Sequence, residues 1–171
     1  MKKVLVIMGS DSDLSVMEPG IRSLSDFHVP FDVRICSAHR TPALASALAA
    51  QADEEGYGVI IAAAGLAAHL PGVIAAHTTL PVIGVPIASG PLAGQDALYA
   101  IVQMPTGIPV ATVAINGSAN AALLAVQILA GSEPELKTRL RDHKQSMEAA
   151  VSARQKRLDE RLAELLPGDR S

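Results

Sequence analysis

A long central part of this chain carries no charged side chain. Residues 56–95 contain no Asp, Glu, Lys or Arg, and neither do residues 97–132. Prolines and glycines interrupt both stretches before they reach the roughly 18 consecutive apolar residues that a membrane-spanning helix needs. The strands of a parallel sheet are buried on both faces and are therefore continuously apolar. The pattern predicts a buried parallel sheet and no membrane helix.

Short apolar strand patterns alternate with helical patterns along the whole chain, which is typical of an α/β fold. Strands are predicted at residues 3–8, 31–36, 59–63, 82–86 and 110–115. The helices between them are predicted to end near residues 27, 55, 77, 102 and 130. Pro19-Gly20 predicts a kink or a late start in the first helix. Thr41 as N-cap and Pro42 at the first helical position predict the start of the second.

The last predicted helix covers residues 132–166 and is long for a chain of this size. Gly131 is expected to end the preceding helix, and Ser132 with Glu135 has the spacing of a capping box. The last helix carries an apolar stripe and, ended by Pro167-Gly168, would reach about 50 Å at 1.5 Å per residue.

A domain of this size is only about 40 Å across, so the excess helix length predicts packing on another subunit. We therefore expect a single domain over residues 1–171, with an α/β core at 1–131 and an oligomerisation helix at 132–166.

Charge and cysteine content exclude several classes of protein. The formal net charge of -3 argues against a nucleic-acid binder or a basic membrane-surface protein. Cys36 is the single cysteine, which excludes a disulfide framework and a thiolate-cluster metal site. The beginning of the chain lacks the pattern of a secretory signal, which predicts a cytosolic protein.

Residues 37–42, Ser-Ala-His-Arg-Thr-Pro, lie between a predicted strand and a predicted helix. The crevice outside the carboxyl ends of parallel strands is where such sheets bind ligands. Arg40 and Ser37 suit a phosphate, and His39 has an ordinary pKa of about 6.5, which suits proton transfer near neutrality. An exposed loop that merely starts a helix explains the spacing equally well.

The turn at residues 9–13, Gly-Ser-Asp-Ser-Asp, also follows a strand and opens a helix. Ser10 and the free backbone N–H groups favour an anion, whereas Asp13 would repel a phosphate and suits a sugar diol. Ordinary N-capping by Ser or Asp accounts for the turn at least as well.

Residues 64–70 form a loop of small side chains around one histidine, His69. Small side chains at Gly65, Ala67 and Ala68 would let a ligand approach the backbone closely. Tight packing of an alanine-rich core around a buried histidine is the competing interpretation. Cys36, three residues before His39, is more simply explained as a small buried hydrophobe than as a nucleophile.

Taken together, these motifs resemble the PurE family, the N5-carboxyaminoimidazole ribonucleotide mutases of purine biosynthesis. The matching segments are residues 8–13, 37–42, 67–72, 82–86, 101–105 and 120–125. The resemblance implies a three-layer sandwich around a parallel five-stranded flavodoxin-like sheet, with the long C-terminal helix packing on neighbouring subunits. It also implies a homo-octamer that needs no metal and no cofactor and that moves a carboxylate from N5 to C4 of a small-molecule ribonucleotide.

The same resemblance implies roles for individual residues. Ser10, Asp13 and Arg40 would bind the ribonucleotide, Ser37 would support its phosphate, and His39 would be the general acid and base. His69 would be the second catalytic residue and would belong to a loop over the carboxylate. In that loop Ala67, Ala68 and Leu70 would keep CO2 in a dry pocket, and Gly65 would be a further substrate-binding residue. The chain departs from the family pattern at Leu66 and Ala63, where glycine is usual, at His77, where lysine is usual, and at Cys36, where valine is common.

Two other functions fit the motifs: a carboxylase that uses free CO2, and a ribonucleotide-binding module without catalysis. A receiver domain is disfavoured, because its third strand needs an Asp and its fifth a Lys, where this chain has Ala63 and Ile115.

Overall fold

Five strands and six helices make up the computed structural model, which describes residues 1–166. The strands are β1 Lys3–Met8, β2 Phe31–Ile35, β3 Tyr57–Gly65, β4 Val82–Ile87 and β5 Ala111–Thr112. The helices are α1 Leu14–Asp26, α2 Pro42–Gln51, α3 Leu70–Ala76, α4 Gln95–Val102, α5 Ser118–Leu129 and α6 Pro134–Leu165. A short 3-10 turn at Asp11–Asp13 precedes α1.

All strand pairs are parallel, and the order across the sheet is β2-β1-β3-β4-β5. This is the flavodoxin-like order, and it reverses direction between β1 and β3. The predicted parallel five-stranded sheet is confirmed. Loops that leave β1 and β3 at this reversal diverge and open a crevice at the carboxyl edge.

The two faces of the sheet are covered by separate helix layers. Val4 and Val6 of β1 pack with α1 and α5 on one face, and the first turn of α6 adds the buried Leu136 there. Leu5 and Ile7 pack with α2, α3 and α4 on the other face. Alternate residues of one strand therefore enter different cores, which explains why the buried positions of β1, β3 and β4 carry no charged side chain.

Pro19 lies inside α1, which runs without a break from Leu14. The expected late start is therefore wrong. Proline removes one hydrogen bond to the carbonyl four residues earlier, and burial of Met17, Gly20 and Leu24 holds the helix in place. Ser23 donates a hydrogen bond to the Pro19 carbonyl at 2.9 Å.

The strand β5 is shorter than predicted, and Pro86 in β4 supplies the reason. The Pro86 carbonyl accepts a hydrogen bond from the Asn116 N–H at 2.8 Å. Proline has no N–H to return, so the ladder between β4 and β5 cannot continue there.

The capping box predicted at Ser132 and Glu135 does not form. Glu133 is the N-cap residue of α6, and the Ser132 hydroxyl donates to the Leu129 carbonyl at 3.3 Å. The carboxylate of Glu135 pairs instead with Arg139 one turn later.

Only the first part of α6 packs on the domain. Leu136 is fully buried, and the His143 ring meets the Phe27 ring edge-on at 5.4 Å. Beyond His143 the helix leaves the surface, and its apolar side chains are exposed: Met147, Val151, Leu158, Leu162 and Leu165. The predicted end at Pro167-Gly168 lies outside the described residues. Within residues 1–166, no helix is long and apolar enough to cross a membrane.

Gly20 lies where α1 and α5 pack closely against each other. A Cβ atom there would lie 2.5 Å from the Ser118 carbonyl oxygen and 2.8 Å from its carbonyl carbon. Both atoms are backbone and cannot rotate away. The Ser118 hydroxyl also donates to the Val16 carbonyl at 2.6 Å, which ties the two helices together.

We expect Gly20→Ala to lower the free energy of unfolding by about 1–3 kcal/mol, because an inserted methyl group must push the helices apart. Urea unfolding measures this loss. Gly9→Ala is the matched control, since the nearest atom to a Cβ there is 3.6 Å away. Equal stability of the two variants would contradict the prediction.

Candidate active site

A cleft of about 470 Å³ opens at the carboxyl edge of the sheet. It is bordered by the loops that follow β1, β2, β3 and β4, as expected at the point where the strand order reverses. Its walls are formed by Gly9, Ser10, Ser12, Asp13, Ser37, Ala38, His39, Arg40, Ala64, Gly65, Leu66, Ala67, Leu70 and Ser89. Arg40 is the one cation among these residues, and Asp13 is the one carboxylate.

The loop after β1 is shaped by a capping box. The Ser10 hydroxyl accepts a hydrogen bond from the Ser12 N–H at 3.3 Å, and the Asp13 carboxylate accepts one from the Ser10 N–H at 3.1 Å. Ser10 and Asp13 therefore cap the start of the helix and also border the cleft. Burial raises the pKa of Asp13, and hydrogen bonds from the Ser10 and Gly9 N–H groups partly oppose that rise.

The loop after β2 is closed by Thr41 and Ser37. Thr41 occupies the N-cap position of α2, but its hydroxyl makes no cap bond. It accepts from the Ser37 N–H at 3.0 Å and donates to the Ser37 carbonyl at 2.9 Å. The Arg40 guanidinium donates to the Gly9 carbonyl at 3.1 Å, so it joins this loop to the loop after β1.

His39 and His69 lie in contact although 30 residues separate them. His39 Nε2 and His69 Nδ1 are 2.8 Å apart, and the rings meet edge-on at 77°. His39 faces the cleft, whereas His69 is not among the wall residues and stands beside its partner. Both are exposed, so the competing interpretation of His69 as a buried core histidine is wrong. A single proton lies between the two nitrogens, since a hydrogen bond needs one donor and one acceptor.

The loop after β3 contains a backbone conformation that is unusual for its residue. Leu66 has a φ of 53°, the left-handed region, which costs an L-residue about 1–2 kcal/mol. Two tight turns follow: the Ala68 N–H donates to the Leu66 carbonyl and the His69 N–H to the Ala67 carbonyl, both at 2.8 Å. These turns bring His69 to the start of α3.

Most of the residues predicted from the sequence as site residues border the cleft: Ser10, Asp13, Ser37, His39, Arg40, Gly65, Ala67 and Leu70. Ala68 is fully buried in the core under α3 and does not reach the cleft. Sequence reasoning missed Ser12 and Ser89 as individual wall residues. For Ser89 the signal was its position after β4, at the same sheet edge as the other loops.

Other candidate groups lie apart from the cleft. The Cys36 thiol is buried and sits 3.6 Å from the Thr41 hydroxyl, so it packs as a small side chain. His77 Nδ1 lies 3.5 Å from the Ser46 hydroxyl on the α2–α3 surface. Within residues 1–166, no group of three or more His, Cys, Asp or Glu side chains is arranged to hold a metal ion.

The chain is similar to known proteins over most of its length. A family model described as AIR carboxylase matches residues 3–150. An N5-carboxyaminoimidazole ribonucleotide mutase of Pyrococcus horikoshii is 57% identical over 155 residues, covering 91% of this chain and 88% of that protein. A phosphoribosylaminoimidazole carboxylase of Candida albicans is 54% identical over 91% of this chain but only 27% of its own length.

The fold also matches a crystal structure of Treponema denticola PurE. The TM-score is 0.80 at 28% sequence identity, over 91% of this chain and 97% of that one.

The raised pKa of Asp13 has a consequence for stability. In the folded chain the carboxyl keeps its proton to a higher pH than its ordinary pKa of 3.8 would allow. Folded protein then binds more protons than unfolded protein, so the free energy of unfolding falls as pH rises from about 3.8 through the folded pKa.

We expect the difference in unfolding free energy between the natural protein and Asp13→Asn to decrease over that pH interval and then level off. Urea unfolding at several pH values between about 3.5 and 7 measures it. Asp11→Asn, in the same loop but exposed, corrects for the loss of one negative charge. A difference that grows with pH would contradict the expectation.

Proposed function

This chain belongs to the AIR carboxylase family, and we propose that it converts N5-carboxyaminoimidazole ribonucleotide to 4-carboxyaminoimidazole ribonucleotide in purine biosynthesis. The observation that carries the proposal is an imidazole, His39, facing a cleft that also holds one guanidinium and a loop of small apolar side chains. Sequence identity to the mutase of Pyrococcus horikoshii over most of both chains supports it.

The reaction needs a group that first gives and then receives a proton. Protonation of N5 accompanies cleavage of the N5–carboxyl bond and releases CO2 and the aminoimidazole. C4 then attacks the CO2 carbon, a C–C bond forms, and the C4 proton must leave to restore the aromatic ring. Protons and carbon balance over the two steps, so one histidine serves both.

His39 is the group that we assign to these transfers, and His69 positions it. The 2.8 Å bond to His69 Nδ1 directs His39 Nε2 and leaves Nδ1 of His39 as its other proton-carrying nitrogen. When His39 gains a proton, His69 accepts the bond, so the charged and neutral forms both keep their orientation.

The rest of the cleft is suited to a ribonucleotide. Arg40 offers a planar donor set to a phosphate, and the hydroxyls of Ser10 and Ser37 stand in neighbouring loops. Asp13 would accept hydrogen bonds from ribose hydroxyls. Ala67 and Leu70 present apolar surface where CO2 would be held, since a dry wall hinders its loss to water.

The same cleft would serve direct carboxylation of the aminoimidazole by free CO2, and the Candida albicans relative is named as a carboxylase. The two reactions differ in substrate. The purified protein is therefore assayed with the N5-carboxylated substrate, and separately with aminoimidazole ribonucleotide and bicarbonate. Product formed from bicarbonate without the carbamate would replace the mutase by the carboxylase.

We expect His39→Asn to lower turnover by about 10²–10⁴-fold while substrate affinity changes little, because proton transfer is lost and the binding groups remain. Absorbance of the carboxylated product measures turnover, and titration calorimetry measures binding. Turnover near that of the natural protein would remove His39 from its role. His69→Asn should lower kcat less and shift the pH profile of kcat, a change that general misfolding does not produce.

We also propose that α6 joins subunits of a homo-oligomer, an octamer by resemblance to the family. Its exposed side chains Val151, Leu158 and Leu162 lie within a narrow angle of one another at 100° per residue. A stripe of this kind on a helix that leaves its own domain is typical of an interface. A cytoplasmic location fits an enzyme of nucleotide synthesis with a free thiol.

Replacing Val151 and Leu158 by Glu should lower the molar mass in solution, since charges on the stripe oppose its burial. Light scattering coupled to size exclusion measures the mass. Ala153→Glu adds a charge about 200° away on the opposite side of the helix and should leave the mass unchanged. If replacing Val151 and Leu158 by Glu leaves the molar mass unchanged, the subunit contact lies elsewhere.

A further inference from the structure

Leu66 is the one large apolar side chain between β3 and the start of α3, in a segment otherwise made of Ala67, Ala68 and His69. It adopts a backbone conformation with φ of 53° that glycine would adopt freely. About half of the residue is exposed, and it borders the cleft. A strained, half-exposed leucine at the wall of a catalytic cleft is an outlier that points to a functional cause.

The Leu66 side chain crosses to the loop after β4. A Cβ atom on Gly90 would lie 2.6 Å from Leu66 Cδ2, so this methyl group rests directly on the bare Cα of that glycine. Gly90 itself has a φ of 66°. The leucine side chain of one loop therefore packs in the space that the missing side chain of Gly90 leaves on the other loop.

A second contact joins the same two loops one residue earlier. A Cβ on Gly65 would lie 2.2 Å from the Ser89 Oγ atom and 3.2 Å from the Ile87 carbonyl oxygen. The two loops thus meet at Gly65–Ser89 and at Leu66–Gly90. Only the second meeting is apolar, and it lies at the residue with the unusual backbone.

We propose that Leu66 closes the gap between these two loops and determines how much CO2 is retained in the cleft between the two steps of the reaction. The inference rests on the proposed mutase function. CO2 is small, uncharged and held by no ionic contact, so retention depends on the continuity of the apolar wall. The alanines of this loop have little apolar side-chain surface, whereas the Leu66 side chain reaches across to Gly90.

The experiment follows the carboxyl carbon of the substrate. N5-carboxyaminoimidazole ribonucleotide labelled with ¹³C in its carboxylate is supplied, and labelled 4-carboxy product and labelled CO2 are both quantified after full consumption. Unlabelled bicarbonate in the medium gives a second readout, the dilution of label in the product. Spontaneous loss of the carbamate is subtracted from a sample without protein.

Leu66→Gly should raise the ratio of released CO2 to product by about fourfold or more, the factor that loss of one buried CH2 group implies. Leu66→Asn should do the same, because Asn tolerates the left-handed backbone but is polar. Leu66→Asn serves as the test variant if Leu66→Gly fails to fold. Leu66→Met should keep a ratio near that of the natural protein, since it restores apolar reach.

Leu92→Ala is the matched control. Leu92 is 55% exposed against 51% for Leu66, it lies in the loop after β4, and it does not border the cleft. An unchanged ratio in both Leu66→Gly and Leu66→Asn overturns the proposal, and so does an equal rise in Leu92→Ala. Failure of the mutase function has a different signature, since the natural protein would then form either no product or only product whose label is diluted to that of the bicarbonate in the medium.

Discussion

Burial of the parallel sheet on both faces is the constraint on which the rest of the structure depends. Strand residues face one helix layer or the other, as Val4 and Leu5 do, so a charge at residues 4–8 of β1, or within β3 or β4, would be desolvated. Polar groups are displaced to the edges. At the amino edge, Asp32 pairs with Lys3 and Tyr57. At the carboxyl edge, the loops diverge and place their polar groups around the cleft.

The contact between His39 and His69 brings two imidazole rings together at the carboxyl edge of the sheet. Each histidine belongs to a separate loop, one after β2 and one after β3, and those strands lie on either side of β1. The contact therefore depends on the whole sheet order and not on either motif alone. A histidine pair built in this way requires no residue within the sheet to be polar.

Much of the fold was predictable because it follows from local patterns. The bounds of β1 were predicted without error, and the polar loops were expected at one edge because parallel strands end there together. The contact of His39 with His69 was not predictable from spacing, since it depends on packing across three strands. The inward direction of Ala68 and the loss of ladder at Pro86 likewise depend on neighbours that the local sequence does not specify.

Ser10 and Asp13 close the capping box that starts the chain toward α1, and both border the cleft. Their oxygen atoms already accept hydrogen bonds from backbone N–H groups, so a ligand that pulled either side chain away from its N–H donor would also loosen the helix start. The free energy of ligand binding would then include the free energy needed to open the first turn of the helix. The fraction of protein with ligand bound and the local order of that turn would therefore change together.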